Sequence, residues 1–290
     1  MSVLALSFGF GLITASVLAL AAVGLSLQFG VTNYINFAYG EFLTLGAYLA
    51  YTLNHLGLNI YLSAAVATLL MGVFAVLLNQ FLLRPFTKKG VPLLFLLVVT
   101  FGLSLFLSNL ILALWGPGFK SLDVARETPH AFGPLLFTTS QLTIIGIALL
   151  VMGGVHLLLT RTEIGKAMRA MSDSVDLAQV SGIDTDRITN FTWLLSGCLA
   201  GLAGIVLVIN ITSFLPSVGG EFLFVIFAAV ILGGVGSPYG AMLGALVIGL
   251  ATEMSAVLIN SAYKNDVAFA LLVVTLLLRP QGIIRMAGKA

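Results

Sequence analysis

The side chains best placed to do chemistry in this sequence are carboxylates in apolar company. Glu41, Glu221 and Glu253 each lie within or beside a long apolar run. A carboxylate at hydrocarbon depth is costly and usually faces a cavity or marks a transport path. A second reading stands beside this for Glu41 and Glu221. Both fall where an apolar helix would begin, and there an acidic side chain complements the helix dipole. For Glu253, in mid-run, the expectation is a structural or interface contact. Just ahead of Glu41 runs Thr32-Asn33-Tyr34-Ile35-Asn36. Amides and hydroxyls at a helix break can line a pathway, because irregular backbone at membrane depth occurs where it faces a cavity; the plainer alternative is a turn with an Asn cap. Asn33, Asn36, Glu41 and Glu221 are therefore the candidate pathway residues. The tetrapeptide Gly40-Glu41-Phe42-Leu43 returns as Gly220-Glu221-Phe222-Leu223, 180 residues on.

Other chemistries find little support. His55, His130 and His156 are scattered over different segments, and Cys198 stands alone in an apolar run. A structural zinc site needs about four ligands, so no metal is expected. No Ser/His/Asp arrangement is suggested. No Gly-x-x-x-x-Gly-Lys-Ser/Thr phosphate loop occurs, because both Gly-Lys pairs, at 165–166 and 288–289, are followed by Ala. Neither an enzyme active site nor a bound cofactor is expected on this chain. The Gly-rich run 233–240 suits packing: Ser237 can cap a helix that has Pro238 at its first position. Gly240 and Gly244, like Gly197 and Gly201, are four apart and allow close helix approach.

Such residues need elements to hold them, and composition dictates which. The chain has 290 residues, 59% hydrophobic and 8% charged, with a mean hydropathy of +1.11. A soluble domain carries about 25% charged residues, so this chain cannot cover a water-facing surface. Nor is it disordered, since disordered chains are charged and apolar-poor. The apolar runs lie at about 3–27, 39–54, 59–83, 91–115, 140–159, 190–212, 221–235, 238–259 and 267–278. Only helices and closed barrels satisfy the backbone in lipid, and these runs are about twice the length of barrel strands. The fold class expected is an all-α polytopic membrane protein with eight or nine spans, residues 1–290 forming one transmembrane domain. The first basic residue is Arg84, so 3–27 reads as a retained span and not a cleaved signal. Little chain remains outside the spans, so any energy source must sit in the membrane or on another chain.

Charge gives the orientation. Ten of the thirteen Lys and Arg residues lie in 84–90, 160–189 and 279–290, against Lys120, Arg126 and Lys264 on the other side. Basic residues in short loops mark the cytoplasm. With nine spans the C-terminus is cytoplasmic and the N-terminus is outside, in a multi-pass membrane protein. The two Gly-Glu-Phe-Leu copies would then enter from opposite sides, the relation of an inverted repeat. Nine of the 24 charges fall between 161 and 187. There residues 164, 167, 168, 171, 175 and 178 are small or apolar at helical spacing, which predicts one short amphipathic helix ending near Gly182. Its four basic and five acidic residues suit docking to a cytoplasmic partner better than attraction to an anionic lipid surface. No basic patch suggests nucleic acid.

Several stretches together resemble one family. Gly30-Val31-Thr32, Ile35-Asn36-Phe37-Ala38-Tyr39-Gly40-Glu41-Phe42, the loop from Arg161 to Ile183, Gly233-Gly234-Val235-Gly236-Ser237-Pro238-Tyr239-Gly240-Ala241 and Leu278-Arg279-Pro280-Gln281-Gly282 are similar to the branched-chain amino-acid ABC-transporter permeases, the shorter of their two permease subunits. Tyr39 departs from the pattern, where His is more usual. The resemblance implies a second permease, two ATP-binding subunits that carry the ATP, and an extracytoplasmic binding protein. It places Gly165, Arg169, Ala178 and Gly182 on an ATPase-coupling loop. Permeases for urea or short amides share much of the pattern, and an ion-coupled secondary transporter is the alternative from another class.

Overall fold

The computed structural model describes residues 3–123, 128–132, 135–279 and 281–284. Arg126, Glu127, Pro280, Arg285 and Lys289 lie outside the described residues. The chain is a bundle of helices: α1 (Val3–Thr32), α2 (Tyr39–His55), α3 (Ile60–Leu78), a π-turn (Asn79–Leu83) into α4 (Arg84–Lys88), α5 (Leu93–Trp115), α6 (Thr139–Arg161), α7 (Glu163–Asp173), α8 (Val175–Val180), α9 (Thr185–Ile211), α10 (Val218–Gly233), α11 (Pro238–Leu258) and α12 (Lys264–Leu278). Short strands β1 (Lys120–Ser121), β2 (His130–Phe132), β3 (Leu135–Phe137) and β4 (Ser213–Phe214) lie in the connections, with β1 paired to β4 and β2 to β3, both antiparallel. Among the described residues, seven helices are long and apolar enough to cross a membrane. The apolar helix α10 is shorter, at 16 residues, and so is α2, at 17. Seven and two make the nine apolar runs of the sequence.

Boundaries differ where local chemistry intervenes. The third run does not stop at Arg84-Pro85. Proline has no N–H to give its i−4 carbonyl, and the helix widens ahead of it: the N–H of Arg84 reaches back five residues to Asn79 before the chain continues helical to Lys88. The sixth run begins at Thr185, five residues earlier than its apolar part, because the Asp184 carboxylate accepts the N–H of Arg187 at 3.0 Å and caps the helix. The single amphipathic helix expected over 164–178 is two helices. Ser174 takes extended backbone (φ −161°), ends α7, and accepts the N–H of Leu177 at 3.3 Å to start α8; serine favours such caps over helix interiors.

The connections sort to two ends. At one end Gly30 lies against Gly236 and Ser172. There Ile283 N–H donates to Leu232 O at 2.8 Å and Ile284 N–H to Gly233 O at 3.0 Å, so the segment after α12 closes on α10. Arg84 and Lys88 both bind Asp186 at this end. At the other end Trp115 Nε1 donates to Thr52 at 2.9 Å and Asp123 N–H to Asn54 at 3.0 Å. α7 and α8 belong to the first end. Lys120 and Lys264 belong to the second.

Helices α1, α9 and α11 form the centre, with Leu18, Leu20, Ala21, Trp193, Ala200 and Ala245 inaccessible. Close approach is built from small residues. Gly249 sits on Ala15, Gly204 on the Leu43 backbone, Gly201 on Gly46 and Met71, and Gly197 on Ala75 and Met71. Gly240 meets the Gly233 carbonyl, and Gly244 meets the Ala229 carbonyl. Packing of this kind holds helices together where lipid removes the hydrophobic drive between them.

Candidate functional site

The site begins with a break in the chain. α1 ends at Asn33, whose φ is +57°, and residues 33–38 run back alongside it. Asn36 Nδ2 donates to Gln28 Oε1 at 3.4 Å. The Tyr39 hydroxyl donates to the Ala21 carbonyl at 2.9 Å, eleven residues before the end of α1. At 1.5 Å per residue that is about 16 Å along the helix, so α2 starts deep in the bundle. Non-helical backbone at such depth must be satisfied by protein or line a cavity. The N–H of Ala38 is satisfied by the Asn36 amide oxygen at 3.0 Å, and the Ile35 carbonyl accepts Thr100 Oγ1 at 3.4 Å.

The second half repeats the device. α9 ends at Thr212, φ +65°, and α10 starts six residues later at Val218. Among the described residues, Asn33 and Thr212 are the non-glycine positions with positive φ. Each lies just ahead of a Gly-Glu-Phe-Leu copy. The starts of α2 and α10 then meet. Gly40 faces the Gly219 carbonyl and Leu223, while Gly219 faces the Gly40 carbonyl. The N–H of Gly219 donates to Thr44 Oγ1 at 3.1 Å, and the Phe37 and Phe227 rings pack edge-on at 5.5 Å. The two short helices thus press backbone against backbone where they begin.

A cleft of about 400 Å³ opens at this junction. The two repeat carboxylates, Glu41 and Glu221, line it with Gly220 between them. Ser108, Ser217 and Asn265 supply further polar atoms, and Phe224 and Phe269 form an apolar wall, their rings edge-to-face with centroids 6.2 Å apart. Glu41 is only 4% exposed. One of its oxygens accepts Ser104 Oγ at 3.4 Å, and the other has no partner. Glu221 is exposed. Both occupy the first turn of their helices, where the helix dipole favours negative charge. The dipole and pathway readings of these glutamates thus describe one place.

The four candidate pathway residues do not converge. Asn33 is exposed at the end of α1, and Asn36 is buried with its amide committed to Gln28 and Ala38. Neither lines the cleft. Ser217 and Asn265 do, although neither carries a periodic or charge signal in the sequence. Tyr39 is fully buried as a strut between α1 and α2. Glu253 makes the structural contact its position suggested, accepting Thr14 Oγ1 at 3.0 Å and Lys264 Nζ at 2.7 Å.

A second surface lies at the end that holds α7 and α8. Gly165 packs on the Leu158 carbonyl and Leu159, leaving no room for a Cβ; Met168, Met171 and Ala178 are buried. Gly182 (φ +85°) closes α8. Its N–H bonds Gln179 O at 3.0 Å, and the Ile183 N–H bonds Ala178 O at 3.1 Å, the paired bonds of a Schellman cap. Arg169 is exposed at a crevice it shares with Asp173 and Tyr239. Outward from α8 stand Val175, Leu177 and Val180, the last two 70% and 87% exposed.

Comparison with known proteins agrees with this architecture. Residues 7–276 match the family described as the branched-chain amino acid transport system permease component. The chain is 30% identical over 288 residues to the high-affinity branched-chain amino acid transport system permease protein BraD of Pseudomonas aeruginosa, covering 94% of this chain and 93% of that one. It is 31% identical over 285 residues to the probable branched-chain amino acid transport permease protein LivH of Methanocaldococcus jannaschii, covering 94% and 90%. A chain of PsaBC from Streptococcus pneumoniae, solved with a Fab, shares the fold with a TM-score of 0.54 at 14% identity, covering 94% of this chain and 91% of that one. The chain belongs to the branched-chain amino acid transport permease family.

Proposed function

We propose that this chain is a permease subunit of an ATP-driven importer for branched-chain amino acids in the inner membrane. It would work by alternating access with a second permease, two ATP-binding subunits and an extracytoplasmic binding protein. ATP is bound and hydrolysed on the partners, and this chain contributes the path. The end carrying α7, α8 and the chain after α12 would face the cytoplasm, a reading supported by the distribution of basic residues.

The observation that carries this reading is the pairing of two features on one rigid bundle. One is the cleft where two inverted helix starts bring Glu41 and Glu221 together. The other is α8, which presents bare Leu177 and Val180 to water while its buried side, through Ala178, is keyed into the bundle. Exposed apolar side chains on a short, capped helix suit insertion into a groove of an ATPase. Gly165 lets α7 lie directly on the end of α6, so a push on α8 passes to the long helices with little slack. Closure of the ATP-bound partner dimer would then move α6 and α9 against the α2–α10 junction.

The test is co-purification after mild solubilisation. The wild-type chain is expected to bring down an ATPase subunit, and Gly182→Val, which strains the α8 cap, is expected to lose it while the chain itself is still recovered. Recovery of a transport-competent chain with no ATPase would overturn the reading in favour of an ion-coupled carrier.

A further inference from the structure

Among the described residues, the cleft at the α2–α10 junction has two carboxylates and no basic residue in its lining. Glu41 is buried, has one oxygen without a partner and meets a single serine hydroxyl at 3.4 Å with the other. A buried carboxylate left this poorly matched carries a desolvation penalty that a cation relieves. Glu221, in the first turn of α10, supplies a second, exposed carboxylate to the cleft. Phe224, one turn after Glu221 on α10, and Phe269 line the same cleft in edge-to-face contact, an apolar surface that a small hydrated metal ion would leave unused. Ser217 and Asn265 add hydroxyl and amide donors at the rim.

Resting on the importer reading above, we propose that Glu41 and Glu221 form the subsite for the primary ammonium group of the transported amino acid, with Phe224 and Phe269 holding its aliphatic side chain. An ammonium offers three N–H donors, enough to engage both carboxylates. Charge-assisted hydrogen bonds of this kind are the strong ones. The amide and hydroxyl of Asn265 and Ser217 are left for the substrate carboxylate. The site therefore selects on the amine first and on the branched chain second. A neutral short amide, which has no cation to offer, leaves both glutamates unmatched.

The experiment uses the complete detergent-purified assembly without binding protein and measures displacement of radiolabelled leucine. Expected is displacement by 3-methylbutylamine, which keeps the ammonium and the branched chain, and none at matched concentration by 4-methylpentanoate, which keeps the carboxylate and the branched chain. Glu41→Gln and the exposed Glu221→Gln are each expected to weaken leucine and amine binding by roughly tenfold or more, the effect of one charge-assisted hydrogen bond, with the assembly recovered intact. Displacement by 4-methylpentanoate as effective as by the amine, or wild-type binding in both variants, overturns the subsite. Displacement by sodium with none by the amine assigns the carboxylates to an inorganic cation and overturns it equally. Failure of the importer reading shows differently: the wild-type assembly then takes up no branched-chain amino acid with ATP. An assembly that takes up leucine but binds none overturns the subsite alone.

Discussion

Two glycines and one threonine show how tightly single positions govern this bundle. The position of a Cβ on Gly204 falls on the Leu43 carbonyl, so any side chain there drives α2 off α9. Gly102, in α5, has nothing within 4 Å of the same point. Gly204→Val is expected to abolish accumulation of the folded chain, as overpacking that only a backbone shift can relieve. Gly102→Ala should leave the thermal midpoint unchanged or slightly higher, since glycine disfavours helix interiors by about 1 kcal/mol. Thermal shift in detergent separates the two. Thr212 is a β-branched residue at φ +65°, ψ −39°, a conformation that costs about 1–3 kcal/mol for such a residue. Thr212→Gly should raise the thermal midpoint by relieving that strain. A lower midpoint would mean that the Thr212 hydroxyl contributes more than its backbone costs.

The elements carry the coupling argument. α8 has only six residues, and it is held by the Ser174 cap, the Gly182 cap and the burial of Ala178. Leu177 and Val180 contribute nothing to that hold, because both point outward. Leu177→Glu with Val180→Glu is therefore expected to keep helix content and thermal midpoint within experimental error while cutting ATPase recovery in pull-down by at least about tenfold, the cost of placing charge in an apolar groove. Undiminished ATPase recovery would remove α8 from the interface. Most of these elements were legible in the sequence, because lipid leaves the apolar helix as the one local option and Ser237, Gly182 and the Gly pairs are read by type. The extra break at Ser174 was not legible, since serine at that position satisfies the amphipathic pattern equally well. The site was half legible. Glu41 and Glu221 stand out as charges in apolar runs, each in a copy of the same tetrapeptide. Ser217 and Asn265 reach the cleft only through tertiary packing, and Asn36, polar in an apolar stretch, is used up locally as a turn.

At the scale of the molecule, two long helices each end in a residue of positive φ, and each is followed by a short helix that starts deep in the bundle. The starts of α2 and α10 meet at Gly40 and Gly219, and the surface formed by α7 and α8 lies at the end that also holds the chain after α12. Under the proposed function, a path with its polar centre at this junction and a drive applied from one end would give the arrangement that alternating access needs. In the proposed importer the energy for uptake comes from partner chains, and that is the central claim. The direct measurement is uptake of radiolabelled leucine into proteoliposomes, comparing this chain alone under imposed sodium and proton gradients with the assembly containing the second permease, the ATP-binding subunits and the binding protein. The account predicts concentrative uptake by the full assembly with ATP, none without ATP, and none by the chain alone under either gradient. Concentrative, gradient-driven uptake by the chain alone would contradict it.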